Sequence, residues 1–186
     1  MSSQAPISTP RLDLHHISAA NLIALFEAKD DAPALRGLEI HNPHRVLIDF
    51  PGPLHWRVPQ VKQDPGVNQW FVRWIVLRAS KTIIGSISFH GPPDAQGMME
   101  IGLGIEPPYH NQGFAKEALL GMWRWVVAHP QVKRLRYTVS PNNLPSIALI
   151  RYFQFPLVGT QMDEVDGIEE IYEIDREGFL ALWGAG

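Results

Sequence analysis

Met98-Met99-Glu100-Ile101-Gly102-Leu103-Gly104-Ile105 runs directly into Glu106-Pro107-Pro108-Tyr109-His110-Asn111-Gln112-Gly113-Phe114-Ala115-Lys116-Glu117-Ala118. The first eight residues alternate. A period of two places Met99, Ile101, Leu103 and Ile105 on one face of a strand, and Glu100, Gly102 and Gly104 on the other. A face of one carboxylate and two glycines packs a helix poorly and suits a ligand lying close against the backbone. A solvent-facing side, or a bulge marked by the glycines, is the other reading. Beyond the prolines, the pattern predicts a helix from about Gln112 to His129, stopped by Pro130. Gly113 and Ala115 leave the amides of its first turn bare. Those donors, with the helix dipole behind them, can hold an anion such as pyrophosphate; a plain turn with a tolerated glycine is the alternative. The chain has no G-x-x-x-x-G-K-S/T segment, so nucleotide hydrolysis of the P-loop kind is disfavoured.

Outward from this centre, Arg134 to Val139 reads as a strand, so Met98 to Val139 forms a strand, helix, strand passage of the parallel-crossover kind. Upstream, Gln69 to Ala79 and Lys81 to Phe89 are strands joined by a tight turn at Ser80-Lys81, and with the strand at Met98 they make an antiparallel meander. Downstream come a helix from Asn143 to Phe153 and two strands, Leu157 to Asp163 and Ile168 to Ile174, around an Asp166-Gly167 turn. Near the start, residues 1–10 read as a loose arm and Arg11 to His15 as a half-buried strand. Ser18 caps a helix over Ala19 to Lys29, and a short helix follows from Pro33 to Leu38. The Pro-rich stretch from Glu39 to Gly66 is long for an unstructured connection, and a short helix is expected around His44 to Phe50. The order β-α-α-β-β-β-α-β-α-β-β describes one α/β domain over 11–186, an α+β mixed and mostly antiparallel central sheet.

The 186 residues are 45% hydrophobic and 19% charged, the mixture of a globular chain with a core of its own. There is no cysteine, which removes disulfides, thiolate nucleophiles and cysteine metal clusters; no metal site is expected. A net charge of −3 argues against non-specific nucleic-acid binding. No apolar run approaches the ~20 residues that span a bilayer, and the first ten residues lack a signal peptide's regions. A cytoplasmic protein without membrane contact is expected. No Ser lies in a G-x-S-x-G elbow, so hydrolase chemistry has no support.

With these segments in view, the sequence resembles the GNAT superfamily of N-acetyltransferases, in its RimJ/RimL-like branch. Thr9-Pro10-Arg11-Leu12-Asp13-Leu14 resembles the branch's first strand, Ile84-Gly85-Ser86-Ile87 its third, and Glu100-Ile101-Gly102-Leu103-Gly104-Ile105 its fourth. The family's Q/R-x-x-G-x-G/A loop falls on His110, Asn111, Gln112, Gly113, Phe114 and Ala115. Its N-x-x-S-x-x-L-x-x-x-x-G-F helix falls on Asn143, Ser146, Leu149, Gln154 and Phe155. There are two departures. His110 stands where Gln or Arg is usual, and Gln154 replaces the glycine that commonly ends the helix.

The resemblance implies a single GNAT-like acyl-CoA N-acyltransferase domain whose sheet splays between the strands at 98–105 and 134–139. The cosubstrate would be acetyl-coenzyme A. Its pyrophosphate would sit on the backbone of His110, Asn111, Gln112, Gly113, Phe114, Ala115 and Lys116, and its pantetheine arm along Gly102, Leu103, Gly104 and Ile105. An amine would attack the thioester directly. For that reaction Glu100 is the expected general base, directly or through a water, since a partly desolvated carboxylate titrates nearer neutrality. His110 is its rival. Many relatives place a Tyr as donor to the leaving thiolate seven residues after the motif Asn, but here that residue is Ile150. Tyr152 lies about 900° of helix rotation from Asn143, on roughly the opposite side, whereas Ser146 lies about 60° away. Ser146 is therefore the expected donor, aided by Asn143; helix capping is the plainer role of both. The acceptor, a small-molecule amine or a protein N-terminus, would meet the insertion at about 39–68, walled by His44, Phe50, Trp56 and Trp70. The protein would be a monomer or homodimer. A non-catalytic acyl-coenzyme A sensor on the same fold is the alternative.

Overall fold

Alternation of apolar and polar residues builds the N-terminal strands. Leu12 and Leu14 are fully buried while Asp13 and His15 are half-exposed, which is the pattern of a strand with one face on a core. The structure, a computed structural model, describes residues 4–163 and 167–184. The chain divides into two compact units: Met1–Pro92 with Leu103–Gly121, and Pro93–Gly102 with Met122–Gly186.

In the first unit, β1 (Ile7–Ser8) pairs antiparallel with β2 (Leu12–His16), in register Ile7↔Leu14. The segment read as a loose arm thus contributes a short strand. Ser18 caps α1 (Ala19–Ala28) by accepting the Asn21 N–H, and Leu22 and Leu25 are its buried residues. A single turn, α2 (Ala32–Leu35), follows. No helix forms at His44 to Phe50. The chain there makes turns, with Arg45 and Leu47 at φ 52° and 66°, outside the helical region. The helix lies further on, as α3 (Leu54–Gln63), which keeps Pro59 inside it and leads into a 3-10 helix over Pro65–Trp70. β2 pairs antiparallel with β3 (Arg73–Leu77), and β3 with β4 (Thr82–Phe89). Both are buried almost throughout, as inner strands covered on two faces are. Arg73 in β3 is fully buried, its Nη2 donating to Gln4 Oε1, and burial pushes its guanidinium down to about 10. The end of β5 (Met98–Ile105) and the start of α4 (Phe114–Val127) complete this unit.

Gly85 shows how closely β4 and β5 run. A Cβ on Gly85 would lie 2.1 Å from Gly104 O and 3.0 Å from Ile105 Cα, so only glycine fits. The Glu106 N–H donates to Ile84 O at 2.8 Å beside it.

In the second unit, the start of β5 pairs in parallel with β6 (Arg134–Val139), as the strand-helix-strand spacing requires. The ladder covers Met98↔Arg134, Met99↔Leu135 and Glu100↔Arg136. α5 (Leu144–Tyr152) follows, then β7 (Leu157–Asp163) and β8 (Gly167–Asp175). β8 pairs antiparallel with both β6 and β7. The strand order is β1-β2-β3-β4-β5-β6-β8-β7, an open mixed sheet in which β5 and β6 pair in parallel. Of the turn read at Asp166-Gly167, Asp166 lies outside the described residues. A last helix, α6 (Arg176–Trp183), was not expected from the sequence, although Asp175 caps it by accepting the Gly178 N–H at 2.7 Å. The core of this unit is aromatic. Trp123 is fully buried, stacks on Phe155 at 4.7 Å and meets Phe153 edge-on at 4.8 Å. Among the described residues no helix is long and apolar enough to cross a membrane.

Candidate active site

The turn before α4 is built in the first unit. Pro107–Tyr109 make one 3-10 turn. Asn111 and Gly113 then both take left-handed backbone, at φ 58° and 81°. Alternating such residues with ordinary ones turns successive N–H groups toward one side, and α4 begins at once with its unsatisfied first amides. Phe114, at the first position of α4, is buried. Gln112 Nε2 donates to Pro108 O at 3.0 Å, which tightens the turn. His110 is exposed, and its Nε2 lies 2.6 Å from Ile105 O. A carbonyl only accepts, so Nε2 carries the proton and any basic role of His110 falls to Nδ1. His44 Nε2 lies 3.3 Å from the Tyr109 hydroxyl, with the two rings edge-to-face at 5.4 Å.

Three further residues brace this turn, and the sequence did not reveal their role. Glu117 Oε1 accepts from Thr9 Oγ1 and from the Arg11 N–H, both at 2.6 Å, and Oε2 accepts from Arg11 Nε at 2.7 Å. The motif Thr9-Pro10-Arg11 stood out only as a strand start. No local signal ties residues more than a hundred positions apart.

The acid and hydroxyl groups lie in the second unit. Glu100 is half-buried on β5, and its Oε1 accepts from Thr138 Oγ1 at 2.5 Å. Its register partner Arg136 forms an ion pair with Glu173 at 2.5 Å. The β5/β6 ladder ends at this row, although β6 continues through Tyr137, Thr138 and Val139. Asn143 is the N-cap of α5, its Oδ1 accepting the Ser146 N–H at 3.2 Å; the capping role is therefore present. Ser146 is half-buried, and its hydroxyl lies beside the phenol of Tyr137, which is buried. Burial raises the Tyr137 phenol above its ordinary value, against the lowering effect of Ser146. Thr138 and Tyr137 are residues that sequence reasoning missed; the alternation of Arg136 and Thr138 along β6 was the available signal for the first. Ile150, where relatives place a tyrosine, is fully buried.

The expected acceptor wall is mixed. Phe50 and Trp56 are 87% and 57% exposed, whereas Trp70 is packed away at 5%. His44 is half-buried against Tyr109.

A family model for the acetyltransferase (GNAT) domain matches residues 11–155. The chain belongs to the GNAT acetyltransferase family. It is 30% identical over 143 residues to the uncharacterized N-acetyltransferase YjdG of Bacillus subtilis (strain 168), covering 75% of this chain and 83% of that protein. Among solved structures, it resembles the ribosomal L7/L12 alpha-N-protein acetyltransferase RimL in complex with coenzyme A, with TM-score 0.61 and 15% identity over 94% of this chain and 98% of that one. It also resembles the microcin C7 self-immunity acetyltransferase MccE in complex with acetyl-CoA and AMP, with TM-score 0.61 and 16% identity over 91% and 94%. These structural likenesses are of fold.

Proposed function

We propose that the protein transfers the acetyl group of acetyl-coenzyme A to an amine, either a protein N-terminus or a small molecule. The observation that carries this is the parallel ladder that stops at Glu100, beside a carboxylate oriented by Thr138. β5 continues past that row through Gly102 and Gly104, and a Cβ on Gly104 would meet open space. The neighbours RimL and MccE, solved with coenzyme A and acetyl-CoA, support the choice of cosubstrate. RimL is named for alpha-N acetylation of ribosomal protein L7/L12, and MccE for self-immunity to microcin C7; the proposal covers both a protein N-terminus and a small-molecule amine.

The left-handed turn at Asn111 and Gly113 and the first amides of α4 fit a pyrophosphate, and the backbone of Gly102 to Ile105 fits an extended arm. His110, Asn111, Gln112, Gly113, Phe114, Ala115 and Lys116 would hold the phosphates. When bound, the cosubstrate supplies the activated acyl carbon and a thiolate leaving group. Glu100 takes a proton from the acceptor ammonium, directly or through a water, so that the neutral amine can attack the thioester carbonyl. Thr138 holds one carboxylate oxygen in a fixed hydrogen bond and so orients the group. The N–H near Leu103 or Gly104 polarises the carbonyl. Ser146 donates to the departing sulfur, its hydroxyl beside Tyr137 and its backbone N–H held by Asn143. Tyr137 itself is too weak an acid to protonate a thiolate whose conjugate acid titrates near ~8.5, so the pair orients a donor and does not deliver a net proton.

Thiol release from acetyl-coenzyme A, screened over amines and N-terminal peptides, tests the activity. On a turned-over acceptor, Glu100→Gln should lower kcat by about 10²–10⁴-fold with cosubstrate affinity nearly unchanged. Binding of acetyl-coenzyme A without turnover of any amine would favour a sensor instead.

A further inference from the structure

Arg11 precedes β2 by one residue, far in sequence from the turn before α4, yet its side chain grips that turn at three points. Its Nε donates to Glu117 Oε2 at 2.7 Å, its Nη1 donates to Gln112 O at 3.0 Å, and its guanidinium lies 4.3 Å from the centroid of the Phe114 ring. A Cβ on Gly113 would come within 3.4 Å of Arg11 Nη2. The guanidinium fork suits such a divided task, because its donors are rigidly coplanar.

The bond to Gln112 acts through covalent geometry. In a trans peptide, the carbonyl of one residue and the N–H of the next point in opposite directions. Holding the Gln112 carbonyl toward Arg11 therefore turns the Gly113 N–H away from Arg11, to the outer face of the turn. The left-handed backbone of Gly113, at φ 81°, makes that orientation cheap to keep. Glu117 raises a second issue. A carboxylate in the first turn of a helix competes with an anionic ligand for the helix dipole. Here both its oxygens are committed to Thr9 and Arg11, and the Arg11 charge offsets its own. Although burial pushes the Glu117 carboxyl up, the hydrogen bonds from Thr9 and Arg11 outweigh it and hold the group below the usual range.

We propose that Arg11 is a positioning residue for the anion-binding turn: it aims the Gly113 N–H at the coenzyme pyrophosphate by pinning the Gln112 carbonyl, and it neutralises Glu117 so that the helix start can face a phosphate. This rests on the assignment of that turn to pyrophosphate. The test is calorimetric titration of the full chain with coenzyme A, together with the phosphorus NMR spectrum of bound coenzyme A, for the wild type, Arg11→Met, Arg11→Lys and Gly113→Val, with Tm as the measure of folding. Arg11→Met should weaken binding by about ten-fold or more and move the pyrophosphate resonances toward their free positions while leaving the 3′-phosphate resonance in place. Arg11→Lys keeps a charge opposite Glu117, but its single ammonium cannot serve Gln112 O in the same fork; it should recover Tm and only part of the affinity. Wild-type affinity in a folded Arg11→Met variant, or full recovery by Arg11→Lys, overturns the proposal while leaving the turn assignment intact. Unchanged binding by Gly113→Val would remove the turn assignment itself, and the role of Arg11 with it.

Discussion

Glu100 and Thr138 meet through a hydrogen bond of 2.5 Å, and that contact has a kinetic signature. A hydrogen bond to the ionised form of a carboxyl favours that form. Thr138→Val should therefore move the acidic limb of the pH–rate profile to higher pH, and an unmoved limb would separate the essential base from this carboxylate. The Ser146 hydroxyl lies beside the buried Tyr137 phenol. If Tyr137 acts through Ser146, the turnover losses of Tyr137→Phe and Ser146→Ala should not add in the double variant. Gln154 carries strain of a different kind. It takes the left-handed conformation at φ 59° after α5, with its N–H donating to Arg151 O at 3.0 Å. The backbone therefore keeps the left-handed residue that a glycine usually supplies. A non-glycine residue there costs about 1–2 kcal/mol, and glycine's extra chain entropy offsets roughly half of that. Gln154→Gly should raise stability by about 0.5–1 kcal/mol in a urea titration; a loss would mean that the Gln154 side chain has a role of its own.

At the scale of elements, the approach of β5 to β4 depends on Gly85. With Gly104 O 2.1 Å from any Cβ there, Gly85→Ala must displace backbone and not the flexible end of a side chain. Overpacking of this sort costs about 1–3 kcal/mol, read as a lowered denaturant midpoint at constant slope. The variant should also weaken coenzyme A binding, because the displaced atoms belong to the stretch proposed to meet the pantetheine arm. α4 presents Ala118, Leu119, Met122, Trp123 and Val126 as one fully buried stripe, the 3.6-residue period that made it legible in the sequence. α3 carries the same period in Leu54, Val58 and Val61, but other features of its sequence oppose a helix. Its buried residues Leu54, Arg57, Val58 and Val61 include a charge, and Pro59 lies within it, so propensity argued against the helix that packing imposes.

For the molecule as a whole, the half-buried histidines of β2 set the first response to acid. Burial lowers both His15 and His16 below the ordinary 6.5, Asp13 partly opposing this for His15 and the bond to Asn68 O for His16, while Arg73 adds to it. Above pH 6.5 these rings are neutral in folded and unfolded chains alike, and the fold keeps its full stability. As pH falls through 6.5, the unfolded chain binds protons first, so stability is lost toward the lower folded values. Urea midpoints should be lower at pH 5.5 than at pH 7.5; equal midpoints would mean that these rings titrate normally. Asp13, held down mainly by its bond to Arg78, and Glu117 add a second loss below their ordinary 3.8 and 4.5. The sequence by itself determined the strand and helix order from β3 to β8, the parallel crossover from β5 through α4 to β6, and the glycine turn between them. Those features are written in periods of 2 and 3.6 and in Gly and Pro punctuation, signals complete within a few turns of chain. Only the tertiary structure decided that Arg11 grips Gln112 and Glu117, that Thr138 holds Glu100, that Tyr137 meets Ser146, and that Gly104 leaves no room beside Gly85. It also decided the left-handed Arg45 and Leu47, where turns replaced the expected helix. Such partners are chosen by packing between residues distant in sequence, and packing outweighs local preference wherever the two conflict.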